Sequence, residues 1–367
     1  MNSLSPELIR EIFFHLDTKA DISRLRLVQR TFAHIGEEAL FTSLDVSPTF
    51  QSLTRLIELS RNSHIACFIR KISLSVDAMR VMVWSTINKH LGSSSAKDVD
   101  KLDYRTLIVF RSLVNECQEF QKSSDYVAML STAFSRLTRL CHVSLLESSP
   151  STSANSGAVT LMDRYAHTID PPHFHGSWGE KDHLRAFSAL IDASYFTGTT
   201  LESFKTTGLI DQILFEDREL LRRAAIVFRG SRELRLLFCG EEQTQTQVTE
   251  RLFKSYLFDV IAPAVGLQKL AVEFNVCPPA GRGGALFEKV FGGESQRWEM
   301  LEELVIGGIN VKCEELIGFL ARHKSTLRVL RMRKCGLVGG SWDDVVKFLD
   351  KDLELRKLDL DGHIDYD

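Results

Sequence analysis

The sequence contains no apolar stretch that approaches 18 residues, so no membrane-spanning helix is expected. Its first residues set Glu7, Arg10 and Glu11 inside an apolar pattern, unlike the unbroken run of a signal peptide. The seven cysteines, Cys67, Cys117, Cys141, Cys239, Cys277, Cys313 and Cys335, form no Cys-x-x-Cys pair and are odd in number. Reduced thiols in the cytoplasm or nucleus are therefore expected rather than a disulfide framework. Charge of one sign is lacking too: 45 basic against 48 acidic side chains leave a net charge of -3. No global field favours nucleic acid, and no basic run suits nuclear import, so partners must be chosen by local surface.

Motifs of bond chemistry are equally sparse. No glycine-rich turn follows a strand-like segment, and Gly281-x-Gly283-Gly284 lacks the Lys-Ser or Lys-Thr pair of a phosphate loop. There is no Gly-x-Ser-x-Gly for a nucleophile elbow. His167, His173, His175 and His183 gather in one region, but their spacing matches no closed zinc pattern and no cysteine is near. They read as solvated loop histidines. No catalytic residue, metal or cofactor is expected, and the chain is not expected to be an enzyme.

What is present begins with an ordinary globular balance, 44% hydrophobic and 25% charged residues over 367, ample for a large core. The first 44 residues are the most informative. Ser5 can cap a helix that starts at Pro6, where a missing N–H costs nothing, and Glu7 suits the first turn. Leu8, Ile9, Ile12, Phe13 and Leu16 then form one broad apolar stripe. Asp17-Thr18-Lys19 breaks it. Ile22, Leu25, Leu27 and Val28 make a second segment, and Phe32, Ile35, Ala39 and Leu40 a third that ends at Phe41. Three helices this small are expected not to enclose a core of their own.

Leu4-Ser5-Pro6-Glu7-Leu8, Glu11-Ile12, Leu16-Asp17, Asp21-Ile22, Leu25, Leu27-Val28, Arg30, Phe32 and Ala39-Leu40-Phe41 resemble the F-box in order, spacing and residue type. The resemblance implies binding to the Skp adaptor, and through it the cullin, of a ubiquitin ligase of the SCF type. On this reading Leu4, Pro6, Leu8, Ile9, Ile12, Leu16, Leu25, Leu27, Val28 and Phe32 meet the adaptor, and the remainder selects proteins for ubiquitination.

Beyond residue 45 one pattern recurs: apolar, two residues, apolar, one residue, apolar. It appears at Ile69-Ile72-Leu74, Leu140-Val143-Leu145, Leu201-Phe204-Thr206, Ser231-Leu234-Leu236, Leu267-Leu270-Val272, Leu301-Leu304-Ile306, Leu327-Leu330-Met332 and Leu355-Leu358-Leu360. Such alternation suits a short strand with one buried face, while Leu316, Phe319 and Leu320, for example, show helical spacing between copies. Helical spacing also covers Val81–His90 and Leu107–Phe120 in the first long gap. Strand-helix units of about 26 to 36 residues resemble leucine-rich repeats. Cys239, Asn275 and Cys335 fall where that family places Asn or Cys, and Leu209 and Ile309 depart from it. The fold expected is α/β: a three-helix F-box over 1–45, then an irregular leucine-rich-repeat-like solenoid over 46–367. A mobile insertion is expected near 147–180, and an exposed loop at 278–284.

Alternation turns one row of side chains away from the core: Ser73, Ser144, Lys205, Arg235, Ala271, Val305, Arg331 and Asp359. On a leucine-rich-repeat arc this row lines the concave face, where substrate would bind. Arg235, Arg331 and neighbouring Arg333 make it locally basic, which favours an acidic or phosphorylated protein segment. Two other readings compete: a repeat scaffold outside any ligase, and an α/β enzyme with a deep polar pocket.

Overall fold

The computed structural model describes residues 4–16, 18–75, 112, 115–146, 180–210, 217–239, 256–274, 287, 290–291, 298–361 and 364–366. Three helices come first, α1 (Pro6–Phe14), α2 (Lys19–Arg26) and α3 (Arg30–Phe41). The Ser5 hydroxyl accepts the Leu8 N–H while Pro6 fills the first turn, and Thr18 caps α2 through the Asp21 N–H. Contrary to expectation, the three helices enclose a small core of their own, made of Ile9, Phe13, Ile22 and Ile35. Gly36 is the reason they can. A Cβ there would stand 2.5 Å from Arg26 Cγ and 2.7 Å from the Phe13 ring, so only bare backbone lets α3 close on its neighbours.

The rest is a mixed α/β structure built on a large parallel sheet. Its strands are β1 (Ser43–Val46), β2 (Lys71–Ser75), β3 (His142–Leu146), β4 (Ser203–Thr206), β5 (Leu209–Ile210), β6 (Glu233–Cys239), β7 (Lys269–Phe274), β8 (Glu303–Gly307), β10 (Val329–Arg333) and β12 (Lys357–Asp361). Sheet order follows chain order from β1 to β12, with β5 paired to β6 off the main path. Each unit is therefore laid beside the one before it. All eight recurring segments are strands, and their middle residues stand in one register: Ile72, Val143, Phe204, Leu234, Leu270, Leu304, Leu330 and Leu358. A ninth copy, Phe41-Leu44-Val46, supplies β1, with Leu44 opposite Ile72. The reading of the sequence missed it because Phe41 was assigned to the third helical segment and the boundary at residue 45 cuts the pattern before Val46.

Helices α4 (Phe50–Arg61), α6 (Ser124–Phe134), α7 (Glu180–Thr197), α8 (Arg218–Phe228) and α9 (Leu257–Ile261) pack each on the next, as α10 (Cys313–Arg322) does on α11 (Trp342–Asp352). The short α5 (Ser63–Ala66) packs on α4. Between this layer and the sheet lies the main core, to which α4 gives Leu53 and Leu56, α6 gives Tyr126 and Leu130, and α10 gives Leu316 and Phe319. In the last units the chain leaves each strand by a left-handed residue, Gly308 after β8 and Lys334 after β10. The Gly308 N–H donates to the Arg333 carbonyl and the Lys334 N–H to that of Asp361, hooking each exit onto the next strand. Beyond these turns β9 (Asn310–Lys312), β11 (Gly336–Val338) and β13 (Ile364–Tyr366) form a second parallel sheet. Cys335 lies buried at such a corner, its thiol 3.4 Å from the Arg333 carbonyl.

Residues 81–90, 147–179, 275 and 278–284 lie outside the described residues, and with them His167, His173 and His175. Glu180, at the edge of the expected insertion, begins α7, and His183 is a buried helix residue rather than a solvated loop histidine. Among the described residues no helix is long and apolar enough to cross a membrane.

Candidate functional site

Two surfaces concentrate the residues singled out by sequence. The first is on the three-helix module. Helical residues advance by about 100°, so the stripe of α1 is too wide to face one way, and the structure divides it. Ile9 and Phe13 point into the small core, with Leu16 packed half-buried against it. Leu4, Leu8 and Ile12 remain exposed, as do Leu27 and Val28 in the turn between α2 and α3. Pro6 and Phe14 are exposed as well. Leu25 and Phe32 are half-buried against the module's own core, Phe32 edge-on to Phe13 with ring centroids 6.1 Å apart. Of the ten residues read as adaptor contacts, then, six are open to a partner and four hold the module together. Ile9 is buried there outright.

The second surface is the outward face of the large sheet. Strand register places Asp45, Ser73, Ser144, Lys205, Arg235, Ala271, Val305, Arg331 and Asp359 in one unbroken row across nine strands. Its character changes along its length. Ser73 and Ser144 are buried and hydrogen-bonded to each other at 3.0 Å, so they do not offer themselves to a ligand. Ala271 and Val305 are buried as well. Lys205, Arg235, Arg331 and Asp359 are accessible, and the cations among them are matched by carboxylates. Lys205 pairs with Glu233 at 2.8 Å, Arg235 with Glu273 at 3.4 Å, and Arg331 with Glu303 at 3.2 Å. Arg333 reaches Glu273 at 3.5 Å and Asp359 at 3.9 Å.

Burial pushes the Glu233 carboxyl up, but hydrogen bonding and charge from Lys205, the Ser203 hydroxyl and the Lys269 charge outweigh it and hold Glu233 below the usual carboxylate range. The expectation of a basic face is thus corrected: the arginines are present, but they sit in a mixed-charge network. A missing side chain makes part of that network possible. Gly307 on β8 lies in register between Glu273 on β7 and Arg333 on β10, and its bare Cα lets the two charged groups meet across it. A Cβ at Gly307 would come within 3.2 Å of the Glu273 side chain.

Glu233, Glu273 and Glu303 were missed by the reading of the sequence. They were accessible to it, since each stands two residues from a member of the row and therefore on the same face. Charge-paired side chains on an open sheet suit recognition of a protein surface. They form no arrangement of nucleophile and base among the described residues. No family model matches the chain, and no curated protein matches it either.

Proposed function

We propose that the protein is a substrate receptor of an SCF-type ubiquitin ligase, in which the three-helix module is an F-box that binds the Skp adaptor. The observation that carries this reading is the exposure of Leu4, Pro6, Leu8, Ile12, Leu27 and Val28, with Phe14 besides, on a module whose Ile9, Phe13, Ile22 and Ile35 are already buried in a core of its own. So many large apolar side chains left in water on a module of this size suit a permanent partner. The in-register row of strands supports the second half of the reading. Units added side by side, with helices on one face, suit an irregular leucine-rich-repeat-like solenoid whose open face holds a protein substrate. The chain would do no bond chemistry itself; it would hold a substrate near a loaded ubiquitin-transfer enzyme and raise its effective concentration there.

The ion pairs refine the substrate class. A purely acidic segment would have to displace Glu273, Glu303 and Asp359 from the arginines they already neutralise. A segment carrying both signs can exchange partners with the network and leave no charge unpaired, at lower cost. The accessible residues Lys205, Arg235, Arg331, Arg333 and Asp359, with their carboxylate partners, are the contacts proposed for it. The test is co-purification of the full-length chain with adaptor and cullin. Retention of both supports a ligase, adaptor without cullin supports a scaffold, and neither overturns the reading.

A further inference from the structure

At the joint between the helical module and the sheet, three side chains stand as metal ligands would. His34 and Glu37 lie one turn apart on α3, and His64 faces them from α5. One ligand atom from each falls within 4.8 Å of the others. His64 Nε2 is 2.8 Å from Glu37 Oε2, and the two imidazole rings are nearly parallel, 11° apart with centroids separated by 6.2 Å. Both His34 and His64 are exposed, so an ion can reach them.

The surroundings hold this set in place. The other Glu37 oxygen, Oε1, accepts from Arg26 Nη2 at 3.0 Å, and Arg26 is itself anchored by donating Nε to the Ala33 carbonyl. Oε2 is left facing the histidines. On the opposite side the Asn62 side chain accepts the backbone N–H groups of His64 and Ile65, which fixes the start of α5. The Phe68 ring packs edge-on against His64 with centroids 5.5 Å apart. Supporting contacts of this kind, around both carboxylate and imidazole, are what orient ligands in metal sites.

We propose that His34, Glu37 and His64 bind a zinc ion, with water completing the coordination, and that the ion clamps α3 to α5. Two imidazoles and one carboxylate are a borderline ligand set that suits zinc, whereas calcium and magnesium favour all-oxygen shells. Zinc bonds of about 2.0–2.2 Å in a tetrahedron place ligand atoms roughly 3.4 Å apart. The His64–Glu37 contact would open by roughly half an ångström and His34 would swing inward, changes that side-chain rotation supplies. Arg26 opposes the added positive charge, so the site is weaker than closed thiolate sites. A second cluster, Cys141, His142 and Glu202, lies in the same distance range, but burial and the Glu202 charge push the Cys141 thiol up, which works against it as a ligand. The zinc proposal stands independently of the ligase reading.

The experiment uses the full-length chain freed of metal, with zinc affinity measured by competition against a chromophoric chelator and thermal unfolding followed with and without zinc. Zinc in excess of its Kd should raise Tm by a few degrees, because it binds the folded joint and not the unfolded chain. His34→Ala and His64→Ala should each weaken affinity at least tenfold at this site and abolish the rise, and calcium should not produce it. Since His34 is exposed, its variant should fold normally, and circular dichroism would verify that. No zinc uptake at roughly 100 µM would overturn the proposal, as would uptake and a Tm rise that both variants retain; either result would leave adaptor binding untouched.

Discussion

Replacing Leu27 and Val28 by alanine removes the two most exposed apolar side chains of the helical module, 87% and 71% accessible in the free chain. Burying such a side chain completely is worth about 1.5–3 kcal/mol, most of which truncation to alanine forfeits. If the adaptor covers both, the pair contributes about 2–4 kcal/mol of binding, a loss of roughly 30- to 700-fold in affinity. Leu8 and Ile12 are 51% and 40% accessible, so less area remains for a partner to cover. Their double alanine variant should lose about 1–2 kcal/mol, roughly 5- to 30-fold. Neither pair should change the stability of the free chain much, within about 0.5 kcal/mol for Leu27 and Val28, because those side chains are already in water. Ile9→Ala is the contrasting control. Ile9 belongs to a four-residue core, so its truncation should cost about 2–4 kcal/mol of module stability and impair binding only by loosening the helices. Titration calorimetry against a recombinant Skp-type adaptor, with urea unfolding of each variant, separates these effects. Wild-type affinity in the Leu27/Val28 variant, at unchanged stability, would refute the argument that this strip is the adaptor surface.

Three further outcomes follow from the sheet. Gly308→Ala should destabilise by at least about 2–3 kcal/mol, since φ is +66° and an added Cβ would lie 2.0 Å from the Phe274 carbonyl oxygen; a urea midpoint equal to wild type would contradict that strand exit. Glu273→Gln should free Arg235 and leave Arg333 with Asp359 alone, costing about 1–2 kcal/mol and shifting captured peptides toward acidic sequences in a salt-sensitive way. An unchanged peptide preference would detach this pair of arginines from substrate binding. Glu233 is held below its ordinary value of 4.5, so its contribution to stability is present above that pH and lost as pH falls through the lowered value; Glu233→Gln should flatten the acid limb of a stability–pH curve, and a limb of unchanged shape would count against the Lys205 pair.

The periodic part of the fold was legible because strand burial repeats at fixed offsets. The spacing shared by Ile69-Ile72-Leu74 and Leu355-Leu358-Leu360 identifies strands, and chain order then gives sheet order. Short elements carried no such signal. Strands β9 and β11 have three residues each, too few for alternation to stand out, and the left-handed turn at Lys334 uses a residue type that seldom adopts it. Alternation told which way Arg235, Arg331 and Arg333 point but not which groups lie beside them, because lateral neighbours depend on register between residues 26 to 60 positions apart in the chain. For the same reason the joint residues His34, Glu37 and His64 were invisible: no motif links them, and only the packing of α5 against α3 brings them together. On α1 the sequence shows a single apolar stripe. Which edge of it is covered by α2 and α3 is a property of their packing, and Gly36 sets how closely they approach.

The joint also bears on how a receptor of this kind would work. Holding a substrate at a useful distance from a partner enzyme requires that the two binding surfaces not wander relative to each other. A single residue, Thr42, separates α3 from β1, so no flexible linker intervenes. The Thr42 carbonyl accepts the backbone N–H groups of both Arg70 and Lys71, which ties the end of α3 to the start of β2. Lys19 on α2 reaches Asp45 on β1 at 2.7 Å, and Glu37 on α3 reaches His64 on α5. Exposed polar contacts contribute little to stability individually, about 0–1 kcal/mol for an ion pair, but this ion pair and this hydrogen bond contact the body from different helices of the module. Together with the continuous backbone they resist the bending and twisting that a single covalent connection would leave free. Orientation of the module's exposed apolar residues is therefore set by the first strands of the sheet.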